Sequence, residues 1–133
     1  MRLSVIIPHW PIHPDVEPLL DRCVKSLSGH DELVVVVNDG IGFAAAVNLG
    51  LRTARGDFMA VVSNDTVWRH GNLLDMCVPG AVTSPKLNDA IQDFWGCFFV
   101  VPRDVYVKVG PLDERFGLAY YEDNDYVRRL GKA

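Results

Sequence analysis

Three short, mostly apolar runs constrain what this chain can fold into: Leu3-Ser4-Val5-Ile6-Ile7-Pro8, Leu33-Val34-Val35-Val36-Val37 and Phe58-Met59-Ala60-Val61-Val62-Ser63. None shows polar alternation, and each gives way to a polar group. A strand that is apolar on both faces belongs inside a sheet covered by helices on each side, so residues 33–37 are expected mid-sheet. The segments between the runs have a helical period. Val16, Leu19, Leu20, Cys23, Val24 and Leu27 form one stripe at i, i+3, i+4, i+7, i+8 and i+11. Asp15 is placed to cap that helix, Pro18 falls in its first turn and Gly29 ends it. Residues 42–54 form a second helix with Ala44, Val47, Leu51 and Ala54 on one side, terminated by Gly56. A strand–helix–strand–helix–strand order requires right-handed crossovers and parallel strands. The expected fold class is α/β, a single Rossmann-like domain with a mostly parallel central sheet and helices on both faces.

Beyond residue 63 the pattern loosens. A short helix is expected at 71–77, a short strand at 81–83, and two strands at 91–95 and 97–101 that meet at Gly96. A helical turn or two at 102–109, a loop at 110–117 and a last helix at 122–130 complete the chain. With 133 residues and no repeat or low-complexity linker, it reads as one domain, 1–133. Hydrophobic residues make up 49% of the chain, enough for a core. The 13 basic and 17 acidic residues give a net charge of −4, which argues against a nucleic acid partner. The longest apolar run, 33–37, is far short of a transmembrane segment. The N-terminus lacks a long apolar stretch with a small-residue cleavage site, so no signal peptide is expected. Cys23, Cys77 and Cys97 are odd in number, widely spaced and without zinc spacing, which reads as buried free thiols and a cytoplasmic location.

In an open parallel sheet, ligands bind outside the carboxyl ends of the strands. Three such ends carry Pro8-His9-Trp10, Asn38-Asp39-Gly40 and Asn64-Asp65-Thr66. A strand-end Trp near a carboxylate suits a nucleoside, by stacking and by hydrogen bonding to base or ribose. Asn-Asp-Gly is equally good turn chemistry, so Asp39 has two readings. Asp65 directly follows the third apolar run, where it would suit Mg²⁺, which takes few protein carboxylates and completes its shell with substrate phosphates. The plainer reading of Asp65 and Thr66, a cap for a helix around His70, is preferred on these residues alone. Glu122-Asp123-Asn124-Asp125 opens the last helix. The macrodipole accounts for one or two of these acids, and crowded carboxylates raise one another's proton affinity, which suits a general base. Arg128 and Arg129 read as surface ion-pair partners.

Taken in order, these residues resemble glycosyltransferase family 2, in particular its rhamnosyltransferase-like branch. Ser4-Val5-Ile6-Ile7-Pro8 is similar to that family's opening strand. Residues 42–50, Gly-Phe-Ala-Ala-Ala-Val-Asn-Leu-Gly, followed by Ala54-Arg55-Gly56-Asp57, resemble its GFAxxxNxG…ARGD stretch. Ser63-Asn64-Asp65-Thr66 stands where the family carries NNDT, its form of the DXD motif. Residues 96–116 followed by Tyr121-Glu122-Asp123-Asn124-Asp125 resemble its G…GxxDExF…YxEDxD segment. The four stretches cover nearly the whole chain in the family's order, and they favour functional roles for Asp65 and the acidic cluster over capping.

The resemblance implies a GT-A fold and a metal-dependent, inverting, hexosyltransferase-type enzyme. It would move a sugar from a nucleotide-sugar donor of UDP or dTDP type to an acceptor hydroxyl. Pro8, His9 and Asp39 would hold the nucleoside, and Asn48 would lie near the donor cleft. Asp65 would bind Mn²⁺ or Mg²⁺ bridging the two phosphates, with Asn64 in support. Asp123 would take the acceptor proton, with Glu122 its nearest rival, and Trp95 and Gly96 would line the acceptor side. The acceptor would be a glycan, a lipid-linked molecule or a protein, met at an open site or at one completed by a second subunit of a homo-oligomer. A non-catalytic GT-A module that binds a nucleotide-sugar is the chief alternative. A nucleotidyltransferase is disfavoured, because Pro8-His9-Trp10-Pro11 is neither glycine-rich nor basic.

Overall fold

The computed structural model describes residues 1–11, 14, 16–69, 71–84 and 98–116. Strands β1 (Leu3–His9), β2 (Glu32–Val37), β3 (Phe58–Val62) and β4 (Phe98–Pro102) form one sheet in the order β2-β1-β3-β4. β1 runs parallel to β2 and to β3, and β4 runs antiparallel to β3. The sheet is therefore mostly parallel, as the three apolar runs require. Helix α1 (Val16–Ser26) links β1 to β2, α2 (Phe43–Thr53) links β2 to β3, and α3 (Arg103–Val109) follows β4.

Two apolar layers sandwich the sheet. On one side Cys23 and Leu27, with Leu20 and Val24, pack over Leu3, Val5 and Ile7. On the other, Ala44, Val47 and Leu51 pack over Ile6, Met59 and Val61. Gly50 lets α2 lie directly on the sheet, since a Cβ there would run into Ile6. Trp68 closes the first layer, its ring centroid 5.5 Å from that of Phe98.

Five features depart from the sequence reading. β2 is the edge strand rather than a central one, and its exposure alternates: Leu33, Val35 and Val37 are 39%, 39% and 58% exposed. Those three lie opposite Val5, Ile7 and His9, on the face that carries α1. α1 packs over the neighbouring strands and leaves this strip open, a distinction that apolar composition does not encode. Leu19 of the α1 stripe is likewise exposed. β1 continues through Pro8 to His9 instead of stopping at the proline. The carbonyl of His9 accepts from Asn38 N, so His9 faces β2 and Pro8 faces the other way. Pairing with β3 has already ended there, at Ile6, so the missing N–H of Pro8 costs no ladder bond. The strand expected at 81–83 is reduced to one bridge, Thr83 to Val100, and the helix expected at 71–77 is a single 3₁₀ turn, Leu73–Met76, capped by Asn72. Asp15, Cys97, the strand at 91–95 and the helix at 122–130 lie outside the described residues. No helix among the described residues is long and apolar enough to cross a membrane.

The end of the sheet where β1 and β3 begin is latched by hydrogen bonds. Ser4, fully buried, donates through Oγ to Glu32 Oε1 at 2.6 Å and accepts from Gly56 N at 2.9 Å. Glu32 Oε1 also accepts from Arg55 N at 2.8 Å. Arg103 donates to the carbonyls of Gly56 and Ala54 at 2.8 and 2.7 Å, capping the exit of α2. A Cβ on Gly56 would lie 2.6 Å from Ser4 Oγ, 2.7 Å from Phe58 O and 2.8 Å from Ser4 N. Backbone atoms cannot yield as a side-chain tip can, so Gly56→Ala is expected to cost about 1–3 kcal/mol in denaturant unfolding. The Ser4 hydroxyl first, then the Arg55 amide, hold the Glu32 carboxyl below its ordinary value. A carboxyl that is a stronger acid when folded adds stability that is complete at neutral pH and is lost as the pH falls through the folded value. Glu32→Gln should therefore narrow the gap between melting temperatures measured at about pH 7 and about pH 3.

Candidate functional site

Parallel pairing carries the ends of β1, β2 and β3 to one edge of the sheet, with β1 between the other two. His9, Asn38-Asp39 and Asn64-Asp65 therefore share that edge, as the spacing of the runs implied. Pro8 and His9 are the last two residues of β1, both buried, rather than parts of a loop. Trp10 follows, half-buried.

Asn38 is the anchor of the middle turn. It is buried, and its Oδ1 accepts from Gly40 N at 3.1 Å and Gly42 N at 3.2 Å. This leaves Asp39 exposed at the tip and lets the chain enter α2 at once. Gly42, with φ of 99°, holds a left-handed conformation that glycine tolerates and other residues resist. The Asn-Asp-Gly turn chemistry was legible, and what it conceals is that Asn38, not Asp39, builds the turn.

At the end of β3, Ser63 Oγ donates to Asp65 Oδ1 at 2.7 Å, and Thr66 N donates to Ser63 O at 3.1 Å. Asp65 is exposed, and residues 66–69 are not helical, so it caps no helix there. Asn64 turns its Nδ2 towards His9 Nδ1, 3.1 Å away, and His9 Nε2 lies 2.8 Å from Glu17 Oε1 of α1. Glu17 carried no signal in the sequence, because it stands on the polar side of the helical stripe. Beneath this turn, Cys23 Sγ lies 3.5 Å from Ser63 O. Burial, and then the Asp65 carboxylate, push its thiol up to about 11, against a smaller opposing hydrogen bond from the Thr66 backbone. It is a neutral thiol at physiological pH and offers no thiolate ligand.

Among the described residues no three His, Cys, Asp or Glu side chains gather closely enough to cage a metal ion. The edge offers instead the carboxylate of Asp65 and, from its neighbour in the chain, the side-chain oxygen of Asn64. That set fits Mg²⁺ or Mn²⁺ shared with phosphate oxygens, because such ions need only one or two protein oxygens when substrate phosphates supply the rest. It does not fit a closed all-protein site.

Asn48 has a different position. It is fully buried on α2, where its Nδ2 donates to Leu112 O at 2.9 Å and Glu114 Oε2 at 2.8 Å. Its Oδ1 accepts from Leu112 N at 2.9 Å. Both amide hydrogens are thus used to hold residues 112–114 against the helix. No hydrogen bond joins Asn48 to the strand-end cluster among the described residues. Trp95, Gly96, Glu122 and Asp123 lie outside the described residues.

No protein-family model and no curated protein matches the sequence. Solved structures do match in fold. The mannosyltransferase PcManGT of Pyrobaculum calidifontis, in complex with GDP-Man and Mn²⁺, aligns over 97% of this chain and 51% of its own, with a TM-score of 0.69 at 16% identity. The catalytic domain of Drosophila β1,4-galactosyltransferase 7, in complex with xylobiose, aligns over 98% and 61%, with a TM-score of 0.70 at 15% identity. TarS of S. aureus aligns over 98% and 33%, with a TM-score of 0.64 at 14% identity. The chain thus spans between a third and three fifths of these structures. Its fold is the α/β architecture of GT-A glycosyltransferases, with the parallel strand ends at one edge.

The saturated bonding of Asn48 sets an expectation. Asn48→Ala leaves the Leu112 amide and carbonyl unpaired in a buried site, at a cost of about 2–4 kcal/mol for the lost bonds together. Hydrogen exchange should then show the Leu112 amide losing protection relative to the β1 amides.

Proposed function

We propose that this chain is the donor-handling part of a metal-dependent, inverting glycosyltransferase that moves a sugar from a UDP- or dTDP-type nucleotide-sugar to an acceptor hydroxyl. The observation that carries this reading is the meeting of His9, Asp39, Asn64 and Asp65 at the carboxyl edge of a GT-A sheet. The exposed Asp39 carboxylate would accept hydrogen bonds from a ribose or base, with Trp10 beside it. Asp65 and Asn64 Oδ1 would hold a divalent ion together with the donor diphosphate. When bound, such an ion supplies charge neutralisation to the leaving nucleoside diphosphate. Asp123 would accept the proton of the acceptor hydroxyl as that oxygen attacks the anomeric carbon from the side opposite the departing phosphate, inverting the centre. Glu122 is its alternate. The rhamnosyltransferase-like branch, the cytoplasmic location and a second subunit belong to the same reading.

One observation favours a second reading, a module that binds a nucleotide-sugar without transferring it. The described edge presents a single carboxylate next to Asn64, the least that a metal–diphosphate site needs. Donor turnover separates the two. Wild-type protein should release nucleoside diphosphate from a UDP- or dTDP-sugar only with Mn²⁺ or Mg²⁺ present. Asp65→Ala should lower that rate by about a hundredfold or more, and should also lose the rise in melting temperature given by nucleotide plus Mn²⁺. Asp123→Asn should keep that rise and lose transfer. Wild-type rates of release in Asp65→Ala would rule out Asp65 as the holder of the metal, and a thermal shift without any release would favour the binding module.

A further inference from the structure

His9 is buried at the end of β1 between partners from two other elements. Its Nε2 lies 2.8 Å from Glu17 Oε1 on α1, and its Nδ1 lies 3.1 Å from Asn64 Nδ2 beyond β3. For a neutral imidazole these contacts admit one placement of hydrogens. An ionised carboxylate can only accept, so the ring proton sits on Nε2 and is donated to Glu17. Nδ1 then carries a lone pair and can only accept, so Asn64 must turn its NH₂ to the ring. The two polar atoms of an amide lie on opposite arms. Oδ1 is therefore the atom that Asn64 has left to offer a ligand.

We propose that Glu17 is a positioning residue of the site: acting through His9, it locks the Asn64 amide so that Oδ1, and not NH₂, stands with the Asp65 carboxylate towards a divalent cation. This rests on the cation-assisted reading above and adds to it the residue that sets the polarity of the ligand-facing amide. Glu17 itself touches no ligand. Without its carboxylate the neutral ring is free to carry its proton on Nδ1. That proton would draw Asn64 Oδ1 to the ring and turn the NH₂ outward, replacing an oxygen donor with hydrogens of positive partial charge. The side chain of Glu17 is 63% exposed, so its removal costs α1 little; what it takes from the fold is the one partner of the buried His9 Nε2 among the described residues.

The test uses the full chain with ¹⁵N-labelled histidine. Long-range ¹H–¹⁵N spectra of the His9 ring, recorded at alkaline pH without metal or nucleotide, report which nitrogen holds the proton. Wild type should show the Nε2–H form, and Glu17→Ala a mixture of tautomers. Glu17→Gln should show more Nε2–H than Glu17→Ala, because its side-chain carbonyl can accept that bond, and less than wild type, because its NH₂ can instead donate to Nε2. Mn²⁺ affinity measured with UDP present should fall about tenfold in Glu17→Ala and by a smaller factor in Glu17→Gln. The unliganded melting temperature of Glu17→Gln should match wild type and that of Glu17→Ala should fall slightly, by the one bond lost at His9 Nε2. A pure Nε2–H ring in Glu17→Ala, or Mn²⁺ binding weakened equally by Ala and Gln, would overturn the proposal. Failure of the wild type to bind Mn²⁺ with UDP would overturn the functional reading and the cation part of this one. The ring spectra decide the coupling of Glu17, His9 and Asn64 by themselves.

Discussion

Everything at the edge where β1, β2 and β3 end depends on β1 pairing in parallel with a strand on each side. All seven of its residues are buried, and its registers with β2 and β3 begin within one residue of each other, at Ser4 and Leu3. The three strands therefore end on one edge, with β1–β3 pairing stopping at Ile6 and β1–β2 pairing running on to His9. The two ends of the sheet then divide the work. One is closed by Ser4, Glu32, Gly56 and Arg103, whose polar atoms are spent on one another and on backbone groups. The other is held by Asn38, which satisfies the turn from inside and leaves Asp39 exposed.

The sequence made the sheet legible because strands buried between two helical layers must be apolar throughout, and few other structures ask for that. The same signal misplaced β2, since Leu33-Val34-Val35-Val36-Val37 has the composition of a central strand while one of its faces meets solvent. Convergence of the strand ends followed from parallel order alone, so His9, Asp39 and Asp65 could be grouped without coordinates. Partners brought together by tertiary packing could not. Glu17 reaches His9 only because α1 folds back over β1, and Asn48 reaches Leu112 across 64 positions of chain. The family-like stretch around Asn48 marked that residue as special, but only packing shows its amide spent on holding a loop.

The chemistry of the edge is sparse in charge. Around Asp65 stand an imidazole, an amide, a hydroxyl and a thiol that burial keeps protonated. On the proposed reading, a cation held by one carboxylate and one amide oxygen would bind weakly alone, and phosphate oxygens would complete its shell. Cation and nucleotide would then raise each other's affinity by the same factor, since coupling between two ligands on one protein is reciprocal. A site of this kind is assembled by its substrate.

The open flank of β2 has a consequence for how the molecule behaves among its own kind. A mostly β-branched run whose outer backbone pairs with no strand among the described residues is a template on which another extended chain can add. Neither lysine nor proline interrupts this one. Its protection comes from its ends: two copies laid antiparallel about Val35 would set Asp31 of each against Asp39 of the other. Repulsion between those carboxylates disfavours the symmetric register and weakens as salt screens it. Ionic strength thus bears on whether the protein stays dispersed, through four carboxylates, of which the two of Asp31 also accept from Leu3 N at the start of β1.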